Sequence, residues 1–250
     1  MKTLLKLTAL ELKLFIREPI NMVFTFALPI IFLFVMGGVF GNDPDTSEMA
    51  IYRGVGAMNY YVPAYFALVL TTIGVVSLPV HLAGYRERGV LRRLHASDIK
   101  APMVFGSQLI TSFLIALVGS LLIWGFGKLT QPDILFPGEP WLVLAAFVLG
   151  TFCFAAIGVL LGALLPSTRS AQGLGLILFF VMMILGGAGP PLEVLTSAMR
   201  VISNATPIKY VIVLLQDPWL GFGWNTEYSL IVAGITVVAA VLAFRFFRWE

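Results

Sequence analysis

The chain has 250 residues, 59% of them apolar and 12% charged, against about 45–50% and about 25% in an ordinary soluble domain. That balance excludes a water-soluble globular domain. A single cysteine and two histidines exclude a disulfide framework and a metal-ligand cluster built from one chain, so no metal site is expected.

A bilayer core about 30 Å thick needs about 20 mostly apolar residues in a helix. Six runs qualify, at 21–41, 59–82, 103–127, 141–165, 172–189 and 228–244, and none contains Asp, Glu, Lys or Arg. The expected fold class is an all-α membrane protein with six transmembrane helices, forming one domain over residues 1–250.

Residues 1–18 precede the first span. Plotted at about 100° per residue, Lys6, Lys13 and Arg17 form one narrow ridge, while Leu4, Leu5, Leu7, Leu12, Leu14, Phe15 and Ile16 fill most of the remaining circumference. This predicts an amphipathic helix in the cytoplasmic interface, ended by Pro19. A charged extension of span one is the competing reading. Glu11, Lys13, Arg17 and Glu18 interrupt any signal-peptide core, so the segment is expected to stay uncleaved.

Span one carries Pro29, and span two ends near Pro79-Val80-His81. A lone histidine at a helix end is more simply an interfacial side chain than a pH sensor. Next comes "GYRERGVLRRLHAS", residues 84–97. As one helix over 86–96, it gathers Val90, Leu91 and Leu94 into an apolar arc with Glu87 at its centre. Arg88, Arg92 and His95 lie on one flank and Arg93 on the other. A glutamate centred on an apolar face is explained either by a helix N-terminus or by a docked protein partner. The arginines have a simpler role available as topology determinants.

Span four contains Gly158 and Gly162, a spacing that lets another helix approach closely, with packing inside the chain favoured over a dimer interface. Residues 190–226 are too apolar for an ordinary loop, yet hold Glu193, Arg200 and Lys209 and are broken by Pro190, Pro191, Pro207 and Pro218. The stretches between those prolines are too short to span and predict a re-entrant or interfacial helical hairpin. Asn204-Ala205-Thr206 fits a glycosylation sequon, which matters only in a secretory host.

Six spans leave both termini on one side. Twelve basic residues fall on that side and four (Arg53, Lys128, Arg200, Lys209) on the other, so the termini and the 84–97 loop are expected to be cytoplasmic. The net charge of +3 is therefore topological, and no nucleic-acid partner is expected. No span offers the ionisable group that a proton- or ion-coupled carrier needs at membrane depth. There is no phosphate-binding loop, because Gly127-Lys128 is followed by Leu129. No nucleophile–base–acid or paired-carboxylate set stands out either, so no catalytic residue is expected. If the protein moves something uphill, the energy has to come from another chain.

With these features in place, a resemblance becomes specific. Arg86-Glu87-Arg88-Gly89-Val90-Leu91-Arg92-Arg93-Leu94 resembles the E-[KR]-G-[TS]-L-x-x-L segment after the second span of type 2 ABC exporter permeases, a group that includes daunorubicin-type drug exporters. Arg17-Glu18-Pro19 resembles that group's R-[DN]-P before span one. Pro191-Leu192-Glu193 and Pro207-Ile208-Lys209-Tyr210 resemble the marks that flank its extracellular re-entrant hairpin. Val90, Ala96-Ser97-Asp98 and Thr196 depart from the pattern, which bears on subfamily and substrate.

The resemblance implies a permease that binds no cofactor itself and works with a cytoplasmic ABC ATPase subunit carrying ATP and magnesium. A second permease chain, identical or not, completes the transporter in a bacterial or archaeal cell membrane. It further implies that residues 83–102 form a coupling loop. Glu87 would be its central residue, Gly89 part of the motif, Leu91 and Leu94 its apolar anchors, and Arg88, Arg92 and Arg93 its rim. The cargo expected is a hydrophobic or amphiphilic drug or lipid. Export of a polysaccharide or lipid-linked glycan ranks lower, because the spans show no ordered aromatic ladder. A non-transporting membrane anchor or sensor for a cytoplasmic partner would use the same loop.

Overall fold

The computed structural model describes residues 2–44, 51–97 and 99–247. Asp98, which entered the motif comparison, and Arg248, which entered the basic count, lie outside the described residues. Every regular element among the described residues is helical.

The N-terminal helix α1 (Lys2–Ile16) precedes six helical runs long and apolar enough to cross a membrane. Span one, Pro19–Phe40, joins α2 (Pro19–Met22) and α3 (Leu28–Phe40) through a π-helical turn at Val23–Ala27. Span two, Ala57–Glu87, joins α4 (Ala57–Thr72) and α5 (Leu78–Glu87) through a second π turn at Ile73–Ser77. The short helix α6 (Val90–Ala96) leads to spans three to five: α7 (Ala101–Thr130), α8 (Pro140–Leu164) and α9 (Thr168–Leu185). Then α10 (Ser197–Asn204) and α11 (Pro207–Trp219) meet at 89°, each too short to span, and α12 (Thr226–Phe246) is span six. The six runs and the bent pair are those expected from hydropathy.

Proline chemistry accounts for the two π turns. Pro29 and Pro79 have no N–H, and each ring crowds the carbonyl four residues back, on Thr25 and Val75. Both carbonyls lie inside the widened turns, so the helix absorbs each proline by locally changing its pitch. Other starts are capped in ordinary ways. Ser167 and Ser170 form a reciprocal capping box at the head of α9, and Asn225 accepts from the Tyr228 N–H at 3.0 Å to start α12.

Span two is the innermost element, with 94% of its apolar window buried inside the chain. It is surrounded by α7, α8, α9 and α11. Close approach on two sides depends on glycine. A Cβ added to Gly158 would sit 2.5 Å from Gly74 O, one on Gly162 would sit 2.8 Å from Leu82 Cβ, and one on Gly175 would sit 2.3 Å from Val75 O. The glycine pair of span four thus seats α8 against span two of its own chain, as the packing reading favoured. Val75 O, which Pro79 cannot serve, is the carbonyl that Gly175 of α9 rests against.

Candidate functional site

The segment read as one helix over 86–96 is two. α5 ends at Glu87, Gly89 adopts φ +65°, and α6 starts at Val90. That left-handed φ is open to glycine and strained for other residues, so Gly89 is where the chain turns. Glu87 therefore does not lie on the apolar face of α6, which corrects the helical plot. The break costs the helix its phase: residues 86–88 and 90–96 no longer share an axis.

The two residues at the end of α5 clasp two other helix ends. Arg86 donates from Nη1 to Leu165 O at 3.0 Å and from Nη2 to Gly162 O at 2.9 Å and Ala163 O at 3.2 Å. A guanidinium there satisfies the open carbonyls at the C-terminus of α8 and complements its negative pole. Glu87 accepts from the Thr168 N–H at 3.1 Å and from the Thr168 hydroxyl, placing a carboxylate at the positive N-terminus of α9. Of the two readings of Glu87, the helix-terminus one describes its contacts within the chain. Arg88 folds back to donate from Nε to Gly84 O at 3.1 Å.

On α6, Leu91 is fully buried and Leu94 half-buried, while Arg92, Arg93 and His95 are exposed. Leu91 thus fastens α6 to its own chain. The outward face of α6 is basic.

Beside this turn is an open polar cleft of about 470 Å³. Arg17, Glu18 and Asn21 from the α1–α2 corner line it together with Glu87, Arg88, Thr168 and Gln172. Two motifs about seventy residues apart in sequence, the Arg17-Glu18-Pro19 mark and the Arg86–Gly89 turn, are brought to one place. Lys6 and Lys13 on α1 and Arg17 just beyond its end are exposed.

The buried face of α1 is Leu7, Thr8, Glu11 and Phe15, packed against α7. Glu11 is 4% exposed. Burial pushes its carboxyl above the usual glutamate range, and the Tyr85 hydroxyl, His81 and Gln108 beside it offset part of that rise. Neither Tyr85 Oη nor Gln108 Nε2 completes a well-formed hydrogen bond there. His81 Nε2 lies 2.9 Å from Glu18 Oε1. Burial raises the Glu18 carboxyl too, but its contact with His81 outweighs this and holds it below its ordinary value. Sequence reasoning missed this cluster because it searched the spans for acids, whereas α1 carries the acid to them. The signal was the i, i+4, i+8 series Leu7, Glu11, Phe15.

At the opposite end of span two, the residues of the bent pair also have defined places. Pro191 precedes a short 3₁₀ turn at Leu192–Val194 and Pro207 opens α11. Glu193 Oε2 is buried without a partner, and burial pushes its carboxyl up. Tyr210 Oη donates to Asn204 O at 2.6 Å, closing the corner between α10 and α11. Span two reaches this structure directly. Tyr61 Oη donates to Gly189 O at 2.8 Å, Gln216 Nε2 donates to Tyr60 O at 3.0 Å, and Arg53, just before span two, binds Asp217 Oδ1 at 2.6 Å. Arg53 was read only as an outer charge.

Comparison with known proteins adds the following. The model of a family described as ABC-2 type transporter matches residues 3–218. A protein of Bacillus subtilis (strain 168) named as a transport permease, YvfS, is 22% identical over 209 residues, covering 83% of this chain and 81% of the relative. A protein of Escherichia coli (strain K12) named as a multidrug ABC transporter permease, YbhR, is 24% identical over 216 residues, covering 82% of this chain and 57% of that protein. The match thus spans little more than half of the E. coli relative.

Proposed function

Because the chain belongs to the ABC-2 type transporter family, we propose that it is the membrane-spanning permease subunit of an ATP-driven exporter of a hydrophobic or amphiphilic compound, a drug or a lipid. The names of its B. subtilis and E. coli relatives speak for a permease, and the second for a multidrug cargo. On this reading a separate cytoplasmic ATPase subunit holds ATP and Mg²⁺, a second permease chain completes the pathway, and both termini face the cytoplasm of a prokaryotic cell.

The observation that carries the proposal is the clasp at the end of α5. Arg86 holds the C-terminus of α8, Glu87 holds the N-terminus of α9, and both adjoin the turn into α6. Force applied by a partner to the basic outer face of α6 reaches three spans through hydrogen bonds at their ends, with one glycine between the contact and the clasp. Arg86 and Glu87 act as positioning residues here. Arg92 and Arg93, exposed on α6, are the charges that a partner groove lined with carboxylates would meet. α1, packed on α7 next to the same cleft, would be a second contact.

The test is co-purification and transport with the cognate ATPase subunit. Glu87→Ala is expected to abolish export and substrate-stimulated ATP hydrolysis while membrane insertion and complex formation persist. Normal export by that variant would remove the coupling role. A stable partner lacking a nucleotide-binding fold would replace transport by the anchor reading.

A further inference from the structure

Four basic residues lie on the side that the charge asymmetry assigns to the outside, and three of them converge. Arg53, Arg200 and Lys209 line one open cup of about 600 Å³ with Glu193, Asn204, Gln216 and Tyr228. The fourth, Lys128, is elsewhere and donates to Pro132 O at 3.0 Å. Basic residues are under-represented on outer faces, so three gathered at one point call for a local cause.

Their hydrogen bonding leaves part of that charge unspent. Arg53 is neutralised by Asp217, which is nearly buried behind it. Arg200 donates from Nε to Leu195 O at 3.0 Å and from Nη2 to Glu193 O at 2.9 Å, both neutral backbone acceptors, and its nearby counter-charge is the Glu193 carboxyl. Lys209 Nζ donates to Asn204 Oδ1 and lies 5.5 Å from the ring of Tyr210 and 6.0 Å from that of Tyr228. An ammonium has three N–H donors, so two remain. Against these two cations the cup sets one carboxylate, Glu193, whose Oε2 is buried without a donor. Two cations facing one carboxylate leave a positive charge over, and its vacant partner is an oxyanion. The apolar part of the cup's lining is Leu192, Leu195 and Val213.

We propose that this cup binds a net-anionic phosphate ester, the chemistry of a phosphoglycerol headgroup, with Arg200 and Lys209 on the phosphate. That apolar lining fits the first acyl carbons of an amphiphile. The inference rests on the permease reading only for the orientation that places this face outside.

The test uses the full chain in detergent, with phosphatidylglycerol, phosphatidylcholine or glycerol 3-phosphate titrated in, and apparent affinity read by native mass spectrometry. Lys209→Gln is expected to weaken phosphatidylglycerol binding about tenfold, the effect of one charge-assisted hydrogen bond. Glu193→Gln is expected to strengthen it several-fold by removing the like charge, and Lys128→Gln to leave it unchanged. Opposite shifts from two neighbouring variants cannot come from a misfolded hairpin, which would weaken binding in both. Lys209-dependent binding of glycerol 3-phosphate assigns the cup to a soluble ester, and Lys209-dependent binding of phosphatidylglycerol alone assigns it to a membrane lipid. Equal affinity for phosphatidylglycerol and phosphatidylcholine, or shifts of the same sign in both variants, would overturn the proposal. No ATP enters the measurement, so its failure leaves the coupling proposal standing, and the reverse also holds.

Discussion

Arg53 supports a quantitative prediction because two opposing terms act on the same residue. Its guanidinium lies 2.6 Å from Asp217, with side-chain exposures of 23% for the arginine and 9% for the aspartate. A fully exposed pair contributes about 0–1 kcal/mol, and removing one member of a buried pair costs about 3–5 kcal/mol. Here Asn225 Nδ2 still donates to the other Asp217 oxygen at 3.0 Å, which leaves the orphaned carboxylate partly satisfied. Arg53→Ala is therefore expected to cost about 2–3 kcal/mol. Arg53 also has φ +60° and is the only non-glycine residue with positive φ among the described residues. That conformation costs about 1 kcal/mol or more, and glycine would release it while losing the same ion pair. Arg53→Gly should thus be the milder variant by about 1 kcal/mol, even though it removes more atoms. Thermal unfolding of the purified protein in detergent measures both variants, and a cycle with Asp217→Ala isolates the pair. Additive losses in the cycle, or a glycine variant less stable than the alanine one, would refute the reasoning.

Further predictions concern the helix contacts and the buried acid. Gly158→Ala puts its Cβ 2.5 Å from Gly74 O, a backbone atom that cannot rotate away, and should cost about 2–3 kcal/mol. Gly173→Ala in α9 meets nothing within 4 Å and should instead gain up to about 1 kcal/mol of helix propensity; equal thermal stabilities for the two variants would contradict the packing described. For Glu11, burial raises the folded carboxyl above its ordinary 4.5. Its contribution is therefore whole below pH 4.5 and is lost as pH rises through the folded value. The melting temperature of Glu11→Gln minus that of the wild type should climb from acid to neutral pH, and a flat difference would show that Glu11 titrates normally. Glu18, lowered in the fold, has the opposite sign, so Glu18→Gln should show its deficit at neutral pH and lose it in acid.

Hydropathy and proline placement made the six spans and the bent pair legible, because apolar run length is a local property and a membrane span needs little else. The contacts of Glu87 were not legible. The helical plot assumed a continuous helix through Gly89, and one residue at positive φ removed the assumed phase. The motif resemblance pointed to the segment but carried no information on its bonding partners, Leu165 O and the Thr168 N–H, which lie about eighty residues away. Glu11 was hidden for a related reason. Its burial comes from α7 and span two together, and nothing in residues 1–18 distinguishes a face turned to lipid from one turned to another helix. Arg53, Arg200 and Lys209 were grouped by position alone, yet only the folding of α10 and α11 brings Arg200 and Lys209 into one cup with Arg53.

Span two connects these places. At one end its last residues hold α8 and α9, and at the other Tyr60 and Tyr61 bond the segment leading into and through the bent pair. The span that joins them, Ala57–Glu87, is 31 residues long and nearly all buried, with one irregularity, the π turn at Ile73–Ser77. A closely packed helix moves as a body rather than bending at arbitrary points, so a displacement at the α6 end is transmitted along its length unless that turn absorbs it. The turn is where absorption is hardest, because Gly158 and Gly175 bring α8 and α9 against the carbonyls of Gly74 and Val75. The irregular turn and the glycines are thus one device. Proline opens the helix, the glycines let its neighbours close on the exposed carbonyls, and three spans are fastened together at mid-depth as Arg86 and Glu87 fasten them at the end.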